Sequence, residues 1–303
     1  MNFFLRLVII NFLFFSCSNE KKNSSGIEGV WQRIGKVNFS NGKPADTLFY
    51  NNKLPSQNKM VEGKHFKTFS NEHFVWFRYS DFIDSLGVNI GRENVVQGKY
   101  RVKNDSLFET IMNVHDDTKE RWAEWRKKNN SVYKAKILIA KESYIQYRIK
   151  EDGSGSGELW SKVDTFGEKS NSINGAFTIN NRVIFENYKP KDTTIWREND
   201  PDRIWFSIYT DNHRTTFFNQ TRIDSLGNDT WKGSGLLMNY QIQKDSIFEN
   251  YVYGTKQPQK NFKGKSTRRN IIDLSNYENF IYGRFGKGRK DGGGAGMLMS
   301  RLD

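Results

Sequence analysis

Short runs of apolar and aromatic residues recur along the chain, and within them polar and apolar positions alternate. His73 to Tyr79, Gly98 to Lys103 and Ser106 to Ile111 are rich in aromatic and β-branched residues and are separated by Asn, Asp and Gly. This pattern predicts β-strands joined by tight turns, one of them at Asn104-Asp105. Many short strands without intervening helices favour an antiparallel barrel or sandwich.

One segment follows a different period. Within Asp116 to Asn129, Trp122 and Trp125 are three residues apart among Lys, Glu and Arg. That spacing puts both rings on one face of an amphipathic helix, so we predict a short helix here.

The chain also contains an internal repeat. Asp-Ser-Leu-Gly at 84–87 recurs at 224–227, and the run from Asp105 to Glu109 recurs from Asp245 to Glu249, both at an offset of 140 residues. Self-similarity at a fixed offset predicts two copies of one domain. The second copy has no counterpart of the predicted helix, which we interpret as an insertion in the first.

The N-terminus has the layout of an exported lipoprotein. Arg6 is followed by an apolar run from Leu7 to Phe15 and then by Ser16 and Cys17, the only cysteine. The run is too short to span a membrane and is typical of a secretory signal peptide. A single thiol forms no internal disulfide, which favours a lipid such as palmitate attached at Cys17. The alternative is an ordinary signal peptide with an incidental cysteine.

These features predict a linear organisation of two domains behind an anchor. The expected segments are a signal peptide (1–16), a tether (17–26), a first domain (27–164), a linker (165–172) and a second domain (173–303). We expect the mature chain to be exported and anchored to the outer membrane. The opening from Ser18 to Lys22 lacks an acidic cluster, which favours the periplasmic face.

Charge narrows the class of partner. The formal net charge is +13 and the isoelectric point is near 9.6, values that point to anionic partners. An exported protein meets little nucleic acid, so we do not expect nucleic acid to be a binding partner. The run from Lys256 to Arg269 holds six basic residues and no acid. It predicts a loop that lies against anionic lipid or glycan, with a solvated loop as the alternative.

An ordered set of residues in each copy resembles a known family. Gly-Val-Trp at 29–31 opens the first copy and Lys162 lies in its last strand. Gly-Ala-Phe at 175–177 and Arg301 occupy the same places in the second copy. The set is similar to the lipocalin-like (calycin) domains of unknown function found in exported bacterial lipoproteins.

That resemblance implies an all-β fold of two tandem antiparallel barrels. It also implies that a cation covers an aromatic ring at one end of each barrel, Lys162 over Trp31 and Arg301 over Phe177. Such pairs are structural and contribute on the order of 1 kcal/mol. The function implied is a cup that holds a small apolar or amphipathic molecule.

Charged residues on apolar strand faces are the candidate ligand-binding residues. Alternation puts Glu109 on the same face as apolar neighbours, and Glu249 repeats it. We hypothesise that Glu109 with Arg148, and Glu249 with Arg284, face the two interiors. There the arginine receives a ligand carboxylate, or each pair neutralises itself as a structural ion pair.

No catalytic or metal-binding pattern is present in the sequence. It lacks a nucleophile elbow, a P-loop and a dinucleotide fingerprint, and its four histidines have no ligand spacing. We therefore expect no enzyme activity, no metal and no cofactor. The predicted function is binding of a small hydrophobic or amphipathic ligand. The alternatives are an interaction module with filled barrels and, third, a glycan- or lipid-processing hydrolase.

Overall fold

The computed structural model describes thirteen stretches of the chain. These are residues 26–50, 60–83, 89–116, 119–163, 173–187, 189–195, 203–223, 226–227, 229–244, 246–254, 266–272, 279–285 and 293–302. Cys17 and the linker at 165–172 lie outside the described residues. Of the predicted basic loop at 256–269, the last four residues are described, and they belong to a strand.

Sheet 1 comprises nine antiparallel strands from the first copy. The strands are β1 (Gly29–Ser40), β2 (Lys43–Phe49), β3 (Met60–Phe69), β4 (His73–Ile83), β5 (Asn89–Lys103), β6 (Ser106–Asp116), β7 (Val132–Ile139), β8 (Ser143–Ile149) and β9 (Gly155–Lys162). Consecutive strands from β3 to β9 pair with each other, and β1 pairs with both β3 and β9. The ladder of strands therefore returns to β1, and β2 pairs with the far half of β1.

Sheet 2 repeats this order in the second copy. Its strands are β10 (Gly175–Glu186), β11 (Lys189–Ile195), β12 (Ile204–Tyr209), β13 (His213–Ile223), β14 (Asp229–Gln243), β15 (Ser246–Gly254), β16 (Ser266–Ile272), β17 (Asn279–Phe285) and β18 (Gly294–Arg301). β10 pairs with β12 and with β18, as β1 does with β3 and β9. The prediction of an all-β antiparallel fold is confirmed.

Local sequence explains the turns and the one described helix. Asn104 and Lys244 adopt φ of 56° and 54° at the tight turns β5–β6 and β14–β15, where a left-handed residue closes the hairpin. The predicted helix is confirmed as α1 (Lys119–Lys128), between β6 and β7. The described part of the chain holds no helix with the length and apolar character needed for a membrane span.

Each sheet has an inner face that buries an aromatic cluster. In sheet 1 the cluster includes Trp31, Phe69, Tyr144 and Trp160, all at most 1% exposed. In sheet 2 it is built from Phe177, Tyr209, Phe280, Met299 and their apolar neighbours. Alternation along the strands sends every second residue to the opposite, outer face.

The two sheets pack together through equivalent outer faces. Phe66 and Phe77 of sheet 1 share one buried cluster with Phe206 and Phe217, which stand 140 residues later in sheet 2. Thr68 Oγ1 lies 2.6 Å from Thr215 Oγ1 across the same contact. The two copies are thus joined by a buried core of their own.

Candidate ligand-binding site

One end of each inner face is covered by a cation. Lys162 Nζ lies 5.6 Å from the centroid of the Trp31 ring, and Arg301 Cζ lies 5.0 Å from that of Phe177. Cross-strand registers Trp31↔Lys162 and Phe177↔Arg301 bring the members of each pair together. Arg301 also donates a hydrogen bond to the carbonyl of Asn174, 2.9 Å away. We call this the turn end of each sheet, because it includes the β3–β4 and β12–β13 turns.

Farther along the inner face of sheet 1, a lysine and a glutamate form a buried ion pair. Lys67 Nζ donates to Glu109 Oε1 at 2.8 Å and to Gln146 Oε1 at 3.1 Å. The two charged side chains are 4% and 6% exposed. Burial raises the pKa of Glu109, and the adjacent Lys67 ammonium opposes that rise. The ring of Trp160, whose centroid is 5.1 Å from Lys67 Nζ, adds a cation–π contact.

The prediction that Arg148 is the interior partner of Glu109 is wrong. Arg148 is exposed; its Nε donates to the carbonyl of Lys134 at 3.0 Å, and its guanidinium lies 4.2 Å from the Tyr133 ring centroid. It does share a face of β8 with Gln146, but it stands two residues farther from the turn end. At that depth the guanidinium of Arg148 is exposed to solvent. Lys67, and not Arg148, pairs with Glu109 on the inner face.

Sheet 2 also contains a buried ion pair. Its cation lies on β13, the counterpart of β4, whereas the cation of sheet 1 lies on β3. Arg214 Nη1 donates to Glu249 Oε1 at 2.7 Å, and both side chains are at most 3% exposed. Arg214 also donates to Ser207 Oγ. Arg284, the predicted partner of Glu249, lies in β17, where its backbone pairs with Ala295; its side chain lies outside the part that the structure describes. At an offset of 140, Ser207 matches Lys67.

The carboxylate therefore keeps its place in both copies while the cation moves to the next strand. Lys67 of β3 becomes Ser207, and Phe74 of β4 becomes Arg214. A pair that is rebuilt by a neighbouring residue indicates that the buried carboxylate requires a cation in either copy. We interpret both ion pairs as structural.

A second group of polar residues is present in sheet 1, farther from the turn end than Lys67. It lies toward the opposite end of the sheet, where α1 joins β6 to β7, which we call the helix end. Arg33 Nη1 lies 3.1 Å from Glu158 Oε1, and Arg33 Nη2 donates to Tyr50 Oη at 3.2 Å. Arg33 Nη1 also lies 3.4 Å from His65 Nδ1. A guanidinium only donates, so Nδ1 of His65 accepts and its Nε2 bears the hydrogen. We call Arg33, His65, Tyr50 and Glu158 the polar layer.

The charges that shift the pKa of His65 are all positive. Burial, followed by the charges of Arg33, Arg78 and Lys67, lowers the pKa of His65 well below 6.5. His65 is therefore neutral at pH 7, and three cations act on it from inside the sheet. These three cations favour an anion beside His65, whereas Glu109 and Glu158 act with the opposite sign on Tyr144.

Four buried donors, two in the polar layer and two on the adjacent strands β8 and β9, have no acceptor within the described part of the chain. These atoms are Arg33 Nε, His65 Nε2, Tyr144 Oη and Trp160 Nε1. Burial raises the pKa of Tyr144 well above 10, so its hydroxyl retains its proton. Unpaired buried donors cost roughly 1–3 kcal/mol each, and a group that supplies acceptors removes that cost.

The matching positions of sheet 2 are uncharged: one holds tryptophan, one holds serine, and the others are apolar. The registers Arg33↔Trp160 and Tyr144↔Trp160 correspond to Ile179↔Met299 and Phe280↔Met299. Four more residues of sheet 1 have these counterparts in sheet 2: His65 matches Trp205, Arg78 matches Phe218, Glu158 matches Met297 and Lys67 matches Ser207. The polar layer is thus specific to sheet 1, whereas the ion pair recurs.

The sequence holds a signal for this layer that alternation alone does not reveal. Comparing the two copies position by position finds His65 against Trp205 and Arg78 against Phe218 at an offset of 140. Inward positions that are polar in one copy and apolar in the other mark a site that only one copy has. Glu109 and Glu249, which are identical, mark shared structure instead.

A separate cleft lies between the two sheets at their turn ends. Its volume is about 540 Å³, and its walls include Ser70 and Asn71 with their counterparts Thr210 and Asp211. His213 also lines it. Residues 164–172, which follow Val163 on the rim, lie outside the described residues, and we assign no ligand to this cleft.

Comparisons with known proteins do not assign a family. No protein-family model matches the chain, and no curated protein matches it. The isotype 1 transferrin binding protein B of serogroup B Neisseria meningitidis is 7% identical over 90% of this chain and 76% of its own, with a TM-score of 0.22. A mutant transferrin binding protein B of Haemophilus parasuis Hp5 is 9% identical over 92% and 77%, with a TM-score of 0.15. Scores this low establish no shared fold.

Proposed function

We propose that the chain is a non-catalytic binding protein whose first copy holds a small amphipathic anion in the polar layer of sheet 1. The observation that carries this proposal is the set of buried donors without acceptors around Arg33, His65, Tyr144 and Trp160. A carboxylate or similar group would supply acceptors to several of them at once. The three cations that act on His65 favour the same charge.

The proposal includes closed, lipocalin-like barrels. The pairing of β1 with both β3 and β9, and of β10 with β12 and β18, supports closure in each copy. The cation over an aromatic ring at the turn end supports the resemblance. A ligand would then enter from the helix end, where Trp76 and Trp125 are partly buried against the inner cluster and offer apolar contacts to its tail.

The ligand class is tested with three probes of one chain length: an alkyl carboxylate, the matching alcohol and the matching alkylammonium. Binding is followed by the fluorescence of the tryptophans. We expect the carboxylate to bind at least tenfold more tightly than the ammonium, a difference of about 1.4 kcal/mol. Equal affinities for the three probes would contradict the proposal.

The location is tested with the residues that sheet 2 uses. The double variant Arg33→Ile/Glu158→Met removes both charges of the pair at once, so neither is left without a partner. We expect it to fold and to lose at least tenfold in carboxylate affinity. Met297→Leu, on the inner face of sheet 2, is the matched control and should bind like the parent. If the double variant keeps full affinity, the site lies elsewhere.

Sheet 2 fits the role of a filled structural module. Ile179, Met297 and Met299 occupy the places of Arg33, Glu158 and Trp160, and Arg214 neutralises Glu249 from within. Its outer face packs on sheet 1. We propose that the second copy supports the first and takes no ligand of its own.

The proposal retains the sequence prediction of an exported protein with a lipid anchor at Cys17 on the periplasmic face of the outer membrane. Its support is the apolar run before the only cysteine. Mass spectrometry of the N-terminal peptide from a membrane fraction is expected to find a cleaved, acylated Cys17. An unmodified thiol in a soluble mature chain would contradict the anchor.

A further inference from the structure

The outer face of β5, β6 and β7 in sheet 1 is basic. Arg101, Phe108 and Lys134 are cross-strand neighbours in one row. The guanidinium of Arg101 lies 4.6 Å from the Phe108 ring centroid, and Lys134 Nζ lies 5.4 Å from it. Exposed Lys99, Lys103 and Lys136 extend the surface; Lys99 forms an ion pair with Glu72 and Lys136 forms one with Asp105. We call these residues the basic face.

The second copy repeats the basic face only in part: Arg268 of β16 pairs with Phe248 as Lys134 pairs with Phe108, but the cations of β5 are not repeated. At the same register, Asn239, Gln241 and Gln243 of β14 replace Lys99, Arg101 and Lys103 of β5, while Phe248 replaces Phe108. Both glutamines are exposed. Amides are therefore sufficient for solubility at these three positions, and Lys99, Arg101 and Lys103 of sheet 1 call for a separate explanation.

Apolar side chains are exposed on the same side of sheet 1. Met112 of β6, Leu138 of β7 and Ile149 of β8 are 48%, 43% and 36% exposed. Leu138 alternates onto the same side of β7 as Lys134 and Lys136. Cations interspersed with exposed apolar groups fit the interface of a lipid bilayer, where both charge attraction and shallow apolar burial contribute.

The path of the chain brings this face near the proposed anchor. A methyl group on Gly26 would contact Ile139 Cγ2 at 3.9 Å, so the first described residue lies beside the end of β7. Nine residue steps separate Cys17 from Gly26, and an extended tether of that length spans at most about 30 Å. A bilayer that holds Cys17 is within that reach of β7.

We propose that the basic face of sheet 1 docks on an anionic membrane surface. In this orientation Arg101, Lys103 and Lys134 meet lipid headgroups, and Leu138 enters the interfacial layer. The proposal rests on the outer face and on the proposed anchor at Cys17, and it does not depend on a ligand inside the sheet.

The test is co-sedimentation of the chain from Ser18 to Asp303, which retains every described residue, with lipid vesicles. Vesicles of phosphatidylcholine are compared with vesicles containing one part in three of phosphatidylglycerol. We expect at least tenfold tighter binding to the anionic vesicles and a loss of binding as salt is raised. The triple variant Lys99→Asn/Arg101→Gln/Lys103→Gln installs the residues of the second copy and should lose at least tenfold.

The matched control removes three cations from sheet 2: Arg182→Gln/Lys189→Gln/Lys191→Gln. These residues are exposed, and we expect their loss to change vesicle binding by less than threefold. Equal losses in the two triple variants would mean that net charge alone governs binding, and would overturn the assignment to this face. Equal binding to both kinds of vesicle, or binding to soluble heparin without binding to vesicles, would also overturn it.

Discussion

Replacing Lys67 by Ser should destabilise the chain by roughly 3–5 kcal/mol, because Glu109 is then buried without its cation. Phe74→Arg alone should also be destabilising, because it removes a buried ring and adds a second cation. Combined, the two substitutions install the arrangement of sheet 2, where Ser207 and Arg214 occupy these positions. The double variant should be at least 2 kcal/mol more stable than the sum of the single losses predicts.

Urea unfolding of the parent, both single variants and the double variant measures this coupling. The reverse exchange in sheet 2, Ser207→Lys/Arg214→Phe, is the matched experiment and should behave in the same way. Losses that simply add would mean that the position of the cation is not exchangeable between the strands. The two ion pairs would then be unrelated features of the two copies.

A second large effect is expected on acidification. His213 is 2% exposed, and burial lowers its pKa from 6.5 to about 4. The unfolded chain binds this proton more tightly, so the contribution of His213 to stability is present above pH 6.5 and is lost as the pH falls toward 4. Between pH 7 and pH 4.5 the loss is roughly 2–3 kcal/mol.

His213→Gln isolates that contribution. Its free energy of unfolding at pH 7 gives the cost of the lost packing. The change in that free energy from pH 7 to pH 4.5 gives the contribution of proton binding. We expect the variant to lose roughly 2–3 kcal/mol less than the parent over this interval, measured by urea unfolding at each pH. His65, whose pKa is also lowered, acts in the same direction in both proteins. An equal loss in parent and variant would contradict the assignment.

The strands and their turns were predictable because they depend on local sequence. The alternation from Ser106 to Ile111 places Glu109 inward, and β6 does so. Asn104 and Lys244 mark the tight turns at equivalent positions. Two Trp residues three apart predicted helix α1. Each of these features depends on the pattern of residue types within about a dozen consecutive positions.

The partner of Glu109 was not predictable in this way. Lys67 is 42 residues away and meets Glu109 across the inner face, a contact that depends on how the strands are staggered. Arg148 has the correct alternation, yet it lies two residues too far along β8 to be buried. Alternation gives the face of a strand, while the depth of a side chain depends on strand register.

Native mass spectrometry of the chain from Ser18 to Asp303, purified gently from a bacterial envelope, tests the central claim most directly. We predict a bound small acid that is retained by the parent and by Met297→Leu and is lost from Arg33→Ile/Glu158→Met. An apo mass for the parent that stays unchanged after incubation with alkyl carboxylates would contradict the claim that the polar layer of sheet 1 binds an anion.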